Sequence, residues 1–304
     1  MQAPHPASPE ARREVVLGVV GGSGLYAMAS LEQVRSVEVE TPFGAPSAPY
    51  TVGELPRPGL PPVRAVFLPR HGVGHMLLPG EVNYRANIHG FKQLGVTHLL
   101  SVSAVGSLRE EVRPGDVVVP DQLIDRTRGR EATFFGGGVV AHVQFGDPLC
   151  AALRARAGAA ARAEGARVHD GGALVVMEGP AFSTRAESEL YRAAGATIIG
   201  MTALPEAKLA REAELSYAIL ALATDYDCWR VGEAEVSVDA VIAVLHRNVA
   251  LAQATVGRLA AGLPASAAEL PYPRALDGAI ITARDRVSEA ARARLDLIAG
   301  HPRS

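Results

Sequence analysis

The chain has 304 residues, 48% of them hydrophobic and 20% charged, an ordinary soluble composition long enough for one large domain or two smaller ones. Its 30 Lys and Arg against 32 Asp and Glu leave a formal net charge of −2, so neither a nucleic-acid backbone nor an anionic membrane is required as a partner. Two cysteines, Cys150 and Cys228, make neither a disulfide framework nor a four-ligand metal site, no run approaches the roughly 20 apolar residues of a membrane span, and the N-terminal residues lack the apolar core of a secretory signal; the expectation is a reduced, cytoplasmic protein.

Residues 1–13, rich in Pro and Ala, read as a flexible tail. Residues 15–20 form a short apolar run ending in Gly21-Gly22-Ser23-Gly24, which predicts a buried strand and a tight turn. A second strand, 63–68, closes on Pro69-Arg70-His71-Gly72, and 83–94 has helical spacing. Strand 97–102 is expected to break at Ser103-Ala104-Val105-Gly106, and 117–119 is a further strand. There follow a helix over 151–164, strand 173–177 broken by Glu178-Gly179-Pro180, helix 186–194 and short strand 197–199. Helix 204–212, strand 216–223 and a long helix over 236–263 come next; a Pro/Ala/Ser stretch, 264–273, leads to a last helix near 277–298. Alternating strands and helices predict an α/β fold: a single domain over 14–263 with a mixed, mostly parallel central sheet flanked by helices, then a linker and C-terminal helical extension over 264–304.

Several predicted strands end in polar or glycine-rich turns, and in α/β sheets ligands bind at the carboxyl ends of strands. The turn at Ser23 suits an anion, a plain tight turn, or less well a dinucleotide, since the glycines miss the GxGxxG register and no acid closes a second strand about 20 residues on. Arg70 offers a planar fork of donors suited to phosphate, whereas His71 and His75 lack the partner acids a metal site needs. Residues 103–107 end a strand in small residues with amides that suit an oxyanion, or form a close-packed crossover. Glu178 can accept from a sugar hydroxyl, and Met177 and Met201, taken alone, read more readily as core than as site. Asp225 and Asp227 sit two positions apart after an apolar run, with the one tryptophan, Trp229, directly behind.

Taken together, GVVGGSGLY, LPRHGVGHMLLPGEVNYRANI, SVSAVGSLREEVRPGDVVVPDQLIDRT and VVMEGPAFSTRAESELYRAAGATIIGMTALPEAKLAREAELSYAILALATDYDCW resemble the trimeric purine nucleoside phosphorylases, above all their 5′-methylthioadenosine phosphorylase branch. The likeness runs from about residue 15 to about residue 260. It implies a nucleoside phosphorylase-like fold, a homotrimer, and phosphorolysis of 5′-methylthioadenosine with inorganic phosphate as co-substrate and no cofactor or metal. It assigns phosphate to Ser23, Arg70, His71, Ser103, Ala104 and Thr202, where Ser23 and Ser103 stand at positions often held by threonine. It sets Met201 against the ribose, Phe182 against the purine, Glu178 in the sugar and base pocket, Val238 near the 5′ substituent and His142 at a neighbouring subunit's site. Asp225 is then the acid at purine N7 and Asp227 the reader of the 6-amino edge, which favours adenine over 6-oxopurines. A 6-oxopurine or methylthioinosine phosphorylase is the alternative within the family, and a non-catalytic nucleoside- or dinucleotide-binding protein the alternative outside it.

Overall fold

A computed structural model describes residues 14–22, 24–25, 28–230, 238–267 and 274–300, with only the backbone described over 238–247. The tail over 1–13 and Ser23 therefore lie outside the described residues, as do the side chain of Val238 and part of the 264–273 linker.

The strands are β1 (Val16–Gly21), β2 (Glu32–Val37), β3 (Tyr50–Arg57), β4 (Leu60–Pro69), β5 (His98–Ser107), β6 (Val117–Val119), β7 (Gln122–Arg126), β8 (Val168–Asp170), β9 (Ala173–Met177), β10 (Ile198–Gly200) and β11 (Ser216–Asp225). They join one sheet in the order β2-β3-β4-β1-β5-β10-β9-β7, while β11 pairs with β5 and leads through β6 to β8. Six pairings are parallel (β1 with β4 and β5, β11 with β5, β10 with β9, β6 with β8, β7 with β9), so the sheet is mixed and mostly parallel. Antiparallel β2 and β3 extend one end. All residues of β2 but its last are exposed, and its Glu and Arg side chains keep this edge unattractive to another strand.

Two apolar layers enclose the sheet. On one face α1 (Tyr84–Gln93), α4 (Ala203–Glu212) and α6 (Glu289–Ala299) bury Ile88, Phe91, Ala207 and Leu295 against Val66, Val105 and Ile219. On the other, α2 (Ala151–Ala163) and α5 (Val238–Ala261) pack Leu153, Ala157, Val256 and Leu259 against Leu17, Phe67 and Leu220. A strand covered on both faces must be apolar at every position rather than at alternate ones. Accordingly β11 is buried from Ser216 to Thr224. The short helix α3 (Arg185–Ala193) closes the third cluster through Tyr191, beside Trp229 and Ile199. Its start is encoded locally: Thr184 and Glu187 form a reciprocal capping box.

Two strands outrun their expected ends. β5 continues through Ser103–Gly106 and β11 through Asp225. The two pair in parallel from His98 with Ser216 to Gly106 with Asp225, and this ladder keeps the small residues extended instead of letting them turn. The opposite edge of β5 is divided: β1 pairs with its residues 98–101 and β10 with 106–107. Between them, 102–105 face a gap in the sheet beside the carboxyl end of β1, the kind of switch point where α/β sheets bind ligands. The C-terminal segment also differs from expectation. Its helix is shorter, Glu289–Ala299, and it folds back onto its own domain, with Ala291, Leu295 and Ile298 in the shared core and an isolated bridge from Ala141 to Ile280.

Candidate active site

Arg70 follows β4 and points into the gap along β5. Its side chain is 3% exposed, and a guanidinium so deeply placed needs partners on every side. Nε donates to Glu206 Oε2 at 2.8 Å, and Nη2 donates to Glu206 Oε1 at 3.1 Å, Ser101 Oγ at 2.6 Å and the Val20 carbonyl at 3.3 Å. Among the described residues Nη1 approaches only the Val102 carbonyl, at 3.5 Å, and is the less engaged end of the fork. Burial alone would make Arg70 easier to deprotonate, but the charge and hydrogen bonds of Glu206, with smaller contributions from Tyr217 and Tyr84, together offset it and the net shift is upward. Tyr217 donates its hydroxyl to Glu206 Oε1 at 2.7 Å, completing a buried Arg–Glu–Tyr–Ser unit.

His71 follows directly. Its Nδ1 lies 2.8 Å from the Leu77 carbonyl, which can only accept, so Nδ1 carries the proton and Nε2 of the neutral ring is a lone pair. Burial, then the Arg70 charge, lowers its pKa from 6.5 to about 4, so the ring is neutral near pH 7. His75 stacks on it, centroids 4.3 Å apart. Ser103 Oγ lies 3.4 Å from Ser101 Oγ and so adjoins the Arg70 cluster, and Ala104 is the next residue along the gap. Thr202 precedes α4 and is buried, but its side chain makes no capping hydrogen bond. The helix proper starts at Pro205, after non-helical Leu204, where a missing N–H is harmless.

The base-facing candidates meet at the end of β11. Asp225 Oδ2 accepts from the Thr224 hydroxyl at 2.7 Å, and Oδ1 from the Asp227 N–H at 2.7 Å. Asp227 sits at φ +53°, a conformation aspartate tolerates better than most residues. Its Oδ2 is buried without a hydrogen-bond partner among the described residues. Burial raises the pKa of both carboxyls. The Asp225 charge adds to the rise at Asp227, while the nearby Ser188 hydroxyl offsets part of it. Trp229 packs behind this turn: its Nε1 donates to the Ser107 carbonyl at 2.8 Å, and the Arg192 guanidinium lies 3.6 Å over its ring.

Glu178 and Met201 form the third side, with Phe182 on the loop that follows Glu178. Gly179, at φ +71°, lies so close to Met201 that a Cβ there would meet its sulfur at 2.6 Å. Glu178 Oε2 accepts from the Arg128 N–H at 2.8 Å and from Arg130 Nε at 3.0 Å, so this oxygen is committed to the protein and Oε1 is left for other donors. Phe182 is 44% exposed, on a loop held to the acidic turn by Cys228 Sγ, which donates to the Ser183 carbonyl at 3.2 Å. His142 stands apart from these residues. It is exposed, its N–H donates to the Ala279 carbonyl, and it lines a polar cavity of about 390 Å³ with Gln144, Arg211, Arg274 and Asp277. Another cavity, about 540 Å³, lies between α5 and residues 28–30 and contains none of the candidate residues. Among the described residues no three His, Cys, Asp or Glu side chains converge on a possible metal position.

Glu206, Tyr217, Ser101 and Arg130 were not among the residues singled out from sequence. Their roles come from partners far along the chain, 136 residues away for Glu206 and Arg70, and no local pattern marks them.

Residues 16–261 match the model of the phosphorylase superfamily. The chain belongs to this superfamily. Within the phosphorylase superfamily it is 58% identical over 288 residues to the S-methyl-5′-thioadenosine phosphorylase of Geobacter sulfurreducens, an alignment covering 94% of this chain and 99% of that protein. It is 53% identical to the protein of the same name from Synechocystis, covering 93% of this chain and 86% of that one. Among solved structures it is similar to a methylthioadenosine phosphorylase from an Antarctic soil metagenomic library, with a TM-score of 0.85 and 45% identity, covering 94% of this chain and 99% of that one. It is also similar to the Schistosoma mansoni methylthioadenosine phosphorylase in complex with adenine, with a TM-score of 0.75 and 40% identity, covering 82% and 91%.

Proposed function

We propose that this phosphorylase-superfamily chain is a pentosyltransferase that splits 5′-methylthioadenosine with inorganic phosphate into adenine and 5-methylthioribose 1-phosphate. The observation that carries the adenine reading is the buried Oδ2 of Asp227, which lies beside Asp225 and has no hydrogen-bond partner among the described residues. A lone acceptor in a desolvated site favours an N–H and disfavours a carbonyl oxygen, and purines differ in this way at position 6. The curated relatives named above support the same substrate.

In the proposed reaction a phosphate oxygen forms a bond to C1′ as the C1′–N9 bond breaks. The bonding pair leaves on the purine, and Asp225 delivers a proton to N7. Arg70, His71, Ser103, Ala104 and Thr202 place the phosphate under C1′, with Ser23, outside the described residues, assigned to the phosphate by the family resemblance, so the attack becomes effectively intramolecular. The neutral His71 ring accepts from a P–OH rather than adding positive charge. Met201 and Glu178 line the ribose side, and Phe182 stacks on the base. The raised pKa of Asp225 keeps a larger share of it protonated near neutral pH, as a donor to N7 requires. The active form is a homotrimer in which His142 reaches a neighbouring subunit's site; sedimentation at several protein concentrations tests this, and a monomer that retains full activity would refute it.

Phosphate-dependent kinetics across methylthioadenosine, adenosine, inosine and methylthioinosine test the reading. Base release should require phosphate and be fastest with methylthioadenosine. Faster cleavage of either 6-oxopurine nucleoside would overturn the adenine assignment, and phosphate-independent binding with no base release would overturn catalysis.

A further inference from the structure

Arg130 lies four residues beyond β7 and none of the strand-end turns contains it, yet it ties several segments of the site together. Its side chain is 3% exposed. Nε donates to Glu178 Oε2 at 3.0 Å and Nη2 to the Glu178 carbonyl at 2.6 Å. Nη1 donates to the carbonyls of Met201 at 2.7 Å and Leu204 at 2.8 Å, with the Tyr84 hydroxyl at 3.3 Å. The guanidinium also lies 5.7 Å over the Tyr84 ring. One rigid planar group thus holds the end of β9, the turn between β10 and α4, and the start of α1.

We propose that Arg130 is a positioning residue for phosphorolysis, fixing the nucleoside-side wall of Glu178 and Met201 relative to the phosphate cradle. The inference rests on the reading of the site as a phosphorylase centre. A buried guanidinium is a poor device for stability alone, because an apolar side chain of similar volume often does as well. What an arginine adds is direction: five N–H groups at set angles that a lysine cannot reproduce. Three of its partners are main-chain carbonyls, so what it fixes is backbone position, and both residues it holds most directly, Glu178 and Met201, border the ribose side. Arg70 uses a different set of partners, Glu206, Ser101, Val20 and Val102. The two arginines therefore organise two halves of the site, joined through residues 201–206.

The test is Arg130→Lys, which keeps the charge and loses the fork, beside Arg130→Met and Arg130→Ala. In Arg130→Lys the KM for methylthioadenosine should rise about tenfold or more and kcat should fall, as expected when a ribose wall shifts by a fraction of an ångström. The phosphate KM should change severalfold less. Guanidinium or methylguanidinium, added below denaturing concentration, should restore part of kcat/KM to Arg130→Ala and leave the wild type unaffected. Equal changes in both KM values, an unchanged nucleoside KM, or no rescue would overturn the proposal. Thermal melts on each variant separate loss of fold from loss of position, and if Arg130→Lys does not fold, the rescue of Arg130→Ala decides. Calorimetric binding of methylthioadenosine without phosphate reads the same wall with no turnover. If the wild type binds nucleoside and releases no base even with phosphate present, the phosphorolysis reading fails, and the Arg130 comparison is then settled by Kd.

Discussion

Asp225 is held by two donors, the Thr224 hydroxyl and the Asp227 N–H, yet burial leaves its pKa raised. The sign matters for catalysis: a group that must donate its proton loses activity as pH rises through that raised value. Asp225→Asn should lower kcat by about 100-fold, the range typical of a lost general acid, and should flatten the alkaline limb of the pH–kcat/KM profile. An unchanged limb would assign the titration to another group. Asp227→Asn should instead move preference between methylthioadenosine and methylthioinosine by about tenfold, measured as the ratio of kcat/KM values, because an amide can donate to O6. His71 gives a stability prediction of the opposite sign. Its folded pKa, about 4, lies below the ordinary 6.5, so the unfolded chain binds the proton more readily. The neutral ring's contribution is fully present above 6.5 and is lost as pH falls toward 4; His71→Asn should show a shallower drop in urea-unfolding free energy across that window. Arg70, His71, Asp225 and Asp227 could be picked out from sequence because they follow or end apolar runs. Glu206 could not, since its role is defined by Arg70, 136 residues away.

At the scale of the elements, the pairing of β5 with β11 sets where the acids point. Gly106 is opposite Asp225, and a Cβ there would meet Asp225 Oδ1 at 3.0 Å and Ile199 Cγ2 at 3.1 Å. Gly106→Ala should therefore displace the Asp225 carboxyl proposed to protonate N7: kcat falls while stability changes by no more than the roughly 1–3 kcal/mol of mild overpacking, a pair of effects read by kinetics and denaturant melts together. Gly90 in α1 is a harder constraint. A Cβ on it would come within 2.7 Å of the Tyr50 ring carbon that carries the hydroxyl, and that hydroxyl donates to the Asn87 carbonyl at 2.7 Å. The strands β1, β4, β5, β6, β9, β10 and β11 and helices α1 to α5 were legible from apolar runs and helical spacing. β2, β3, β7 and β8 were not. EQVRSV exposes all but its last residue, YTVGELPR is interrupted by Gly and Pro, and VHD is three residues long; each is a strand because a neighbour offers it a ladder.

For the molecule as a whole, the C-terminal segment belongs to the body of the domain. Leu295, 3% exposed, shares a core with Ile88, Phe91 and Leu209. Leu295→Ala should cost about 2–5 kcal/mol in denaturant unfolding, as for other buried leucines, and a cost near zero would mean the helix is only loosely attached. The Pro/Ala/Ser stretch before it shows from sequence only that a linker can extend, not where the helix finds apolar surface to cover. The same division holds throughout. Apolar periodicity and the order of the polar motifs determined the α/β class, most of the strand and helix sequence, and which cations and acids are available for chemistry. Only the tertiary structure decided that β5 runs unbroken past the gap, that Glu206 and Tyr217 immobilise Arg70, that Glu178 is committed to Arg130, and that burial drives the Asp225 and His71 pKa values in opposite directions. These features depend on contacts between distant segments and on exclusion of water, and neither exists until the sheet has closed around them.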